Sequence, residues 1–337
     1  MASEHVLIIG SPGVAKSAAV RHIAKAIGGK YFEYILGRFM EPSELFGPVD
    51  LNKLKLGRLE TQTAEMLPES EIAFLDEIFL GSTAILNTLL GVLNERIYRR
   101  GHTNISCPLR ICVGASNAMP QEEELAAFAD RFLLHVFVDR VPDSILEALL
   151  EEGWSLKEDV PVLDNGLAKL DLLSNVAANM DLSDIRSQLA HCIRLLRANN
   201  IEFSDRRIVK SQKVISAAAA LAGREKATIA DLWPLIFVIP TKEGQTLART
   251  VLKDELEQAE NATLPASAEA ASLSPESRKA RLLEQAVAAI TEPEVHDTLY
   301  LQAIVREIDA NFSPETLPSE LQQKRTILAG MIEAAEE

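Results

Sequence analysis

The sequence predicts an α/β protein: a core built on a five-stranded parallel sheet, followed by an all-helical region and a helical C-terminal tail. Three observations predict it. Short apolar runs alternate with helix-like stretches as far as Val138, the pattern of strand–helix–strand crossovers. From Pro142 to about Glu257 the apolar spacing is helical, with no strand alternation. Hydrophobic residues make up 47% of the 337 and aromatics only 5%, so the core is aliphatic.

The expected strands are Val6–Ile9, Tyr31–Ile35, Ile72–Leu75, Arg110–Ala115 and Leu133–Val138, with helices at Ser17–Ile27 and Ser82–Leu93. Gly37–Ser70 separates the second and third strands. It is rich in Pro, Gly and charge and too long for a plain connection, so it is expected to carry function or small elements of its own. Ala259–Ser277 is Ala/Ser/Pro-rich and reads as a linker. Beyond it, Arg278–Ile290, Glu294–Ile308 and Pro318–Glu337 read as amphipathic helices.

The first strand runs into GSPGVAKS, a near match to G-x-x-x-x-G-K-[ST] in which the glycine before the lysine is Ala15. Phosphate oxygens need several backbone N–H donors, a helix N-terminus and a cation. Gly10 leaves the strand, and Gly13 permits a positive φ or a close approach. Lys16 would reach the β- and γ-phosphates and Ser17 would place its hydroxyl on Mg²⁺. A right-handed helical backbone at Ala15 would make its methyl group inexpensive. The expected binding set is Gly10, Pro12, Gly13, Val14, Ala15, Lys16, Ser17 and Asp76, with Ser17 and Asp76 on the metal.

EIAFLDEIFL ends a buried strand in two carboxylates. Acids at a helix start can simply answer the helix dipole. Downstream of a phosphate loop, however, Asp76 fits a metal-orienting role and Glu77 a water-activating one. Asn117, at the tip of RICVGASN, can position a lytic water or serve as a turn residue before Pro120. Arg131 precedes the last strand, as a surface charge or as a group that reaches a neighbouring subunit's γ-phosphate. In EFSDRR, Arg206 and Arg207 stand where Ser204 or Asp205 could cap a helix.

In this order the elements resemble AAA+ ATPases. FEYILGRFMEPSELFGPVDL, LPESEIAFLDEIF, AILNTLLGVLNERIY and DRFLL are similar to the MoxR family, especially its RavA-like members, which also carry Ala before the loop lysine. The resemblance covers about Val6 to Ile239. It implies a core over residues 1–138 with a helix-2 insert within 37–70 facing the pore of a ring. A helical lid over 139–258 would follow, then the linker and an acidic helical segment over 278–337. It also implies a Walker A loop at Lys16 and Ser17, Walker B at Asp76 and Glu77, sensor 1 at Asn117, an arginine finger at Arg131 and sensor 2 at Arg206, in cis or in trans. Arg96 in LNER reads equally as an interface group or as an ordinary helix-surface charge. Family members ordinarily carry a helix before the first strand that helps close the adenine pocket; here Met1–His5 precede it. The expectation is a truncated start or a base covered by another element.

The activity expected from the resemblance is Mg²⁺-dependent ATP hydrolysis by a ring, a homo-hexamer, that matures or disassembles a partner complex. Proteins with a von Willebrand A domain are the expected partners. The alternative is a nucleotide-gated binding module with little hydrolysis. A DNA-directed motor fits poorly. Net charge is −15, and the insert balances Arg38, Lys53, Lys55 and Arg58 against Glu41, Glu44, Asp50 and Glu60. From Val251 onward 17 acids face 7 bases, a segment expected to solubilise the ring or dock a partner. Cys107, Cys112 and Cys192 lack metal-ligand spacing and are expected as reduced thiols. With no leader-like start and no spanning stretch, a cytoplasmic location is expected.

Overall fold

The computed structural model describes residues 1–141, 146–155, 162–272, 283, 286, 287, 289–291, 298–312 and 317–336. The chain forms two compact units, Met1–Asp139 with Asp159–Ser272, and Arg140–Glu158 with Leu273–Glu337.

The first unit is built on β1 (Val6–Gly10), β2 (Tyr31–Ile35), β3 (Ile72–Asp76), β6 (Ile111–Ser116) and β7 (Leu134–Val138), all parallel, in the order β2-β3-β6-β1-β7. The central strands are covered on both faces, which is why IAFL of β3 is a continuous apolar run, buried throughout. The register pairs Ile9 with Ser116, Leu75 with Gly114 and Gly10 with Val138. The loops that leave β1, β3 and β6 therefore emerge together at the C-terminal edge of the sheet. Helices α1 (Lys16–Ile27) and α4 (Thr83–Glu95) stand where the periodicity places them.

The insert contains α2 (Pro42–Phe46), closed by a reciprocal Glu41–Glu44 capping box, and α3 (Leu51–Lys55), capped by Asp50. Leu45 and Phe46 are buried, whereas residues 51–59 are all exposed. One element is absent from the sequence-based expectation. β4 (Ile97–Arg100) and β5 (Thr103–Ser106) form an antiparallel hairpin with Gly101 at φ +58 in its two-residue loop. Tyr98 on β4 is buried and stacks on Phe46 at 5.2 Å, which ties the hairpin to the insert.

α5 (Glu123–Ala129) leads into β7. The helical region then comprises α7 (Gly166–Ala178), α8 (Arg186–Ala198), α9 (Asp205–Leu221), α10 (Leu235–Val238), α11 (Lys242–Val251), α12 (Lys253–Leu256) and α13 (Pro265–Ser272). Their core includes Leu189, Leu196, Ile215, Leu235 and Ile236. Ala268 and Ala271 of α13 belong to the same core, and Asn261 is buried with its amide donating to Ala218 O at 2.9 Å. The stretch expected to be a linker is thus packed as far as Ser272. Alanines read as linker composition because composition does not reveal that small side chains seat a helix closely. Residues 273–277 lie outside the described residues.

The second unit contains α6 (Leu146–Ser155) and helices Thr298–Asn311 and Ser319–Glu336. Leu301, Ile304, Ile308, Leu321 and Leu328 form a core of their own with Ala286 and Ala289. Arg325 makes a two-pronged ion pair with Asp309 at 2.6 and 2.7 Å. Most of the expected helix Arg278–Ile290 lies outside the described residues, as do 294–297 and Glu337. The three cysteines are free and buried; burial pushes the Cys112 thiol up to about 12.

Candidate nucleotide site

Pro12, Gly13, Val14, Ala15, Lys16, Ser17, Asp76, Glu77 and Asn117 line one cleft of about 290 Å³ at the C-terminal edge of the sheet. Gly10, expected in the binding set, ends β1 and is not among the lining residues. A Cβ there would meet Val138 O at 2.5 Å, so the close approach of β7 demands glycine. Gly13 is required for the other reason, a φ of +84 with open space around it.

Ala15 departs from expectation. Its backbone is left-handed, φ 59 and ψ 24, and it precedes α1 as a cap without a side-chain hydrogen bond. The methyl group therefore carries a steric cost of about 1–2 kcal/mol that glycine avoids. In return, the left-handed turn after Gly13 starts α1 at Lys16 and leaves its first N–H groups free of capping side chains, the arrangement that receives anions.

Lys16 Nζ donates to Gly10 O at 2.6 Å, Ser11 O at 3.2 Å and Asn117 Oδ1 at 3.3 Å. Asn117 Nδ2 donates to Glu77 Oε1 at 2.6 Å. Asn117 thus bridges the cation and the carboxylate and holds both within one cleft. Glu77 is also left-handed, φ 49 and ψ 44, and its N–H donates to Asp76 Oδ1 at 2.9 Å. That strained corner turns the Glu77 side chain toward Asn117 at the end of β3.

Ser17 and Asp76 both line the cleft, and the second carboxylate oxygen of Asp76 has no hydrogen bond among the described residues. A hydroxyl and a carboxylate are hard oxygen donors that suit Mg²⁺, which usually takes few protein ligands beside phosphate and water. Among the described residues no cluster of three or more His, Cys, Asp or Glu could hold a metal.

Arg131 and Arg206 are not in this cleft. Arg131 follows α5 and precedes β7, at the N-terminal edge of the sheet, where its Nε is buried without a hydrogen-bond partner. Arg206, at the start of α9, donates to Asn94 Oδ1 near the end of α4. Burial and the nearby Arg131 hold its guanidinium below the usual arginine range. Arg96 is half-buried and tied to its own chain: it donates to Leu93 O at 2.7 Å and Ser3 O at 2.9 Å, and contacts His5.

Sequence reasoning named Arg207 only as part of a helix start and gave it no role. It is 1% exposed, and its guanidinium donates to Val238 O, Phe132 O and Leu133 O at 2.7–2.9 Å and to Asp130 Oδ1 at 3.3 Å. The only local signal was a second arginine after the cap Ser204, which by itself marks an ordinary helix start.

The fold and cleft define a P-loop nucleotide-binding core with an attached helical lid, the AAA+ type. A sequence model of the MoxR domain in MoxR-vWA-beta-propeller ternary systems matches residues 1–176, and one of an AAA lid domain matches residues 178–248. The chain therefore belongs to the MoxR family of AAA+ ATPases. It is 41% identical over 236 residues to an uncharacterized Methanocaldococcus jannaschii protein, MJ0812, covering 69% of this chain and 62% of the relative. A second protein of that organism, MJ0079, is 40% identical over 69% of this chain and 61% of its own. The chain thus spans about three-fifths of the length of these relatives. It is 27% identical to the chaperone MoxR1 of Mycobacterium tuberculosis over 52% of this chain and 46% of that one. A crystal structure of a Cytophaga hutchinsonii protein thought to be an ATPase superposes with a TM-score of 0.57 at 18% identity, covering 77% of this chain and 86% of that one, a likeness of fold. No described helix is long and apolar enough to cross a membrane.

Proposed function

We propose that the chain is an ATP-hydrolysing subunit of a ring whose active sites are each completed by a neighbour. The observation that carries this reading is the separation of its charged parts. Lys16, Asp76, Glu77 and Asn117 share the cleft beyond the C-terminal end of β1, whereas Arg131 lies before the N-terminal end of β7. With Val6 beside Leu134 and Gly10 beside Val138, that is about 13 Å of strand, more than one arginine side chain spans. Arg131 and Arg206 form a cationic pair that serves no phosphate of its own subunit, and a neighbour's γ-phosphate is the natural complement. Both arginines then act in trans.

Lys16, released from the carbonyls of Gly10 and Ser11, neutralises phosphate charge. Glu77, held by Asn117, takes the proton of the attacking water, and Asn117 keeps that water in line. Ser17 and Asp76 would hold Mg²⁺, which neutralises phosphate charge when bound. Arg131 stabilises the transition state from the neighbouring subunit. The chaperone relative and the MoxR–vWA family description support a cycle that remodels a protein partner carrying a von Willebrand A domain; that the ring is a hexamer in the cytoplasm is part of the same proposal.

The test is ATPase rate per subunit against protein concentration, with Lys16→Ala as blank. A rate that climbs with concentration is expected. A flat rate above the blank would refute shared sites, and a blank-level rate at every concentration would refute hydrolysis.

A further inference from the structure

We propose that Arg207 is a positioning residue that, with Asp130 and Ser204, holds Arg131 in the attitude that completes a neighbouring site. The inference rests on the trans role of Arg131 proposed above.

Arg131 does not fix itself. Its Nε lacks a partner and its side chain has no ion pair among the described residues. Its attitude is set by the backbone on either side, and that backbone is bracketed by the start of α9. Arg207 takes the carboxylate of Asp130 at 3.3 Å, the Phe132 carbonyl at 2.9 Å and the Leu133 carbonyl at 2.7 Å. Ser204 Oγ donates to the same carboxylate at 3.2 Å. Residues 130, 132 and 133 are thus all held, and 131 lies between them.

A buried guanidinium is an expensive way to close a helix against a sheet. Removing the charge from water is costly, and an apolar side chain of similar volume would pack without that cost. What the guanidinium adds is direction: a rigid planar fork of donors that sets several acceptors at once. Its remaining donor, Nε, reaches Val238 O at 2.8 Å, at the end of α10. The same side chain therefore joins the helical region to the connector, so movement of α9 and α10 carries Arg131 with it.

The experiment compares Arg207→Gln, the double variant Asp130→Asn/Ser204→Ala, and Arg131→Ala. Each is assayed for ATP affinity, kcat and KM, alone and mixed with Lys16→Ala subunits, with mixed rings verified by native mass spectrometry. The bracket variants are expected to bind ATP as the parent does, to lose about 10²-fold in kcat at unchanged KM, and to recover on mixing. Recovery follows because a Lys16→Ala subunit brings an intact Arg131 to the variant's intact cleft. Parent-like kcat in both bracket variants overturns the proposal. So does loss of ATP affinity without recovery, the signature of a merely structural role, when Arg131→Ala does recover. If Arg131→Ala itself does not recover, the trans reading fails and this inference falls with it. Should Arg207→Gln not fold, the double variant decides by the same criteria.

Discussion

Ala15→Gly tests whether the phosphate loop is built before its ligand arrives. Ala15 holds φ 59 and ψ 24. An L-residue in that region costs about 1–2 kcal/mol, and glycine removes the cost. Glycine also gains about 0.4–1 kcal/mol of freedom in the unfolded chain, which opposes the benefit. The net expectation is a stabilisation of about 1 kcal/mol, which for a body of this size raises Tm by about 2–4 °C. Thermal unfolding is followed at Trp233, which shares the loop's unit, in a Trp154→Phe background because Trp154 belongs to the other unit. A loop that keeps this backbone before and after binding predicts that ATP affinity stays nearly constant. Ala15→Val adds a branched side chain to the same backbone and should reverse the sign. A lower Tm for Ala15→Gly would refute the left-handed assignment. An affinity gain beyond about 10-fold, equal to 1.4 kcal/mol, would mean that the loop adopts this conformation only on binding.

Two further predictions bear on other parts of the molecule. Glu77→Gln keeps an acceptor for Asn117 but cannot take a proton, so turnover should fall by about 10²–10⁴-fold while ATP stays bound; single-turnover rates equal to the parent's would remove Glu77 from that role. His5 is buried, with Nδ1 accepting from the Cys112 N–H and Nε2 facing Leu93 O, and burial beside Arg96 lowers its pKa to about 3. His135 is lowered to about 4 by burial and Arg207. Both stay neutral in the folded state while the unfolded chain protonates near 6.5. Their contribution is therefore full above that pH and is lost as pH falls, through a window that ends at about 4 for His135 and about 3 for His5. The two together should make the fold about 4 kcal/mol less stable at pH 5 than at pH 7; urea midpoints that agree at the two pH values would exclude this.

The strands and the cleft were legible in the sequence to a degree that follows from how they are made. IAFLDE reads as a buried strand ending in acids because burial on both faces demands continuous apolar residues and only its tip reaches water. The hairpin Ile97–Ser106 went unread because IYRR and TNIS carry little apolar alternation; Tyr98 is buried in a core that includes Phe46, 52 positions away. Ala15 was read with the wrong handedness because helix propensity describes a residue inside a helix, and this one precedes it. Arg206 and Arg207 are adjacent and identical in type, yet one stands with Arg131 at the edge of the sheet and the other is buried among carbonyls.

What the sequence determined by itself was the set of chemical parts and their order, since a phosphate cradle, a strand-end acid pair and a capped helix are each made by contiguous residues. Tertiary structure alone decided which parts meet. The parallel register joins Lys16 to Asn117 and Asn117 to Glu77, across 101 and 40 positions, and the strand direction places Arg131 at the opposite edge. Those pairings depend on sheet order and on the path of α9, which are set by burial of the whole core and not by any local pattern.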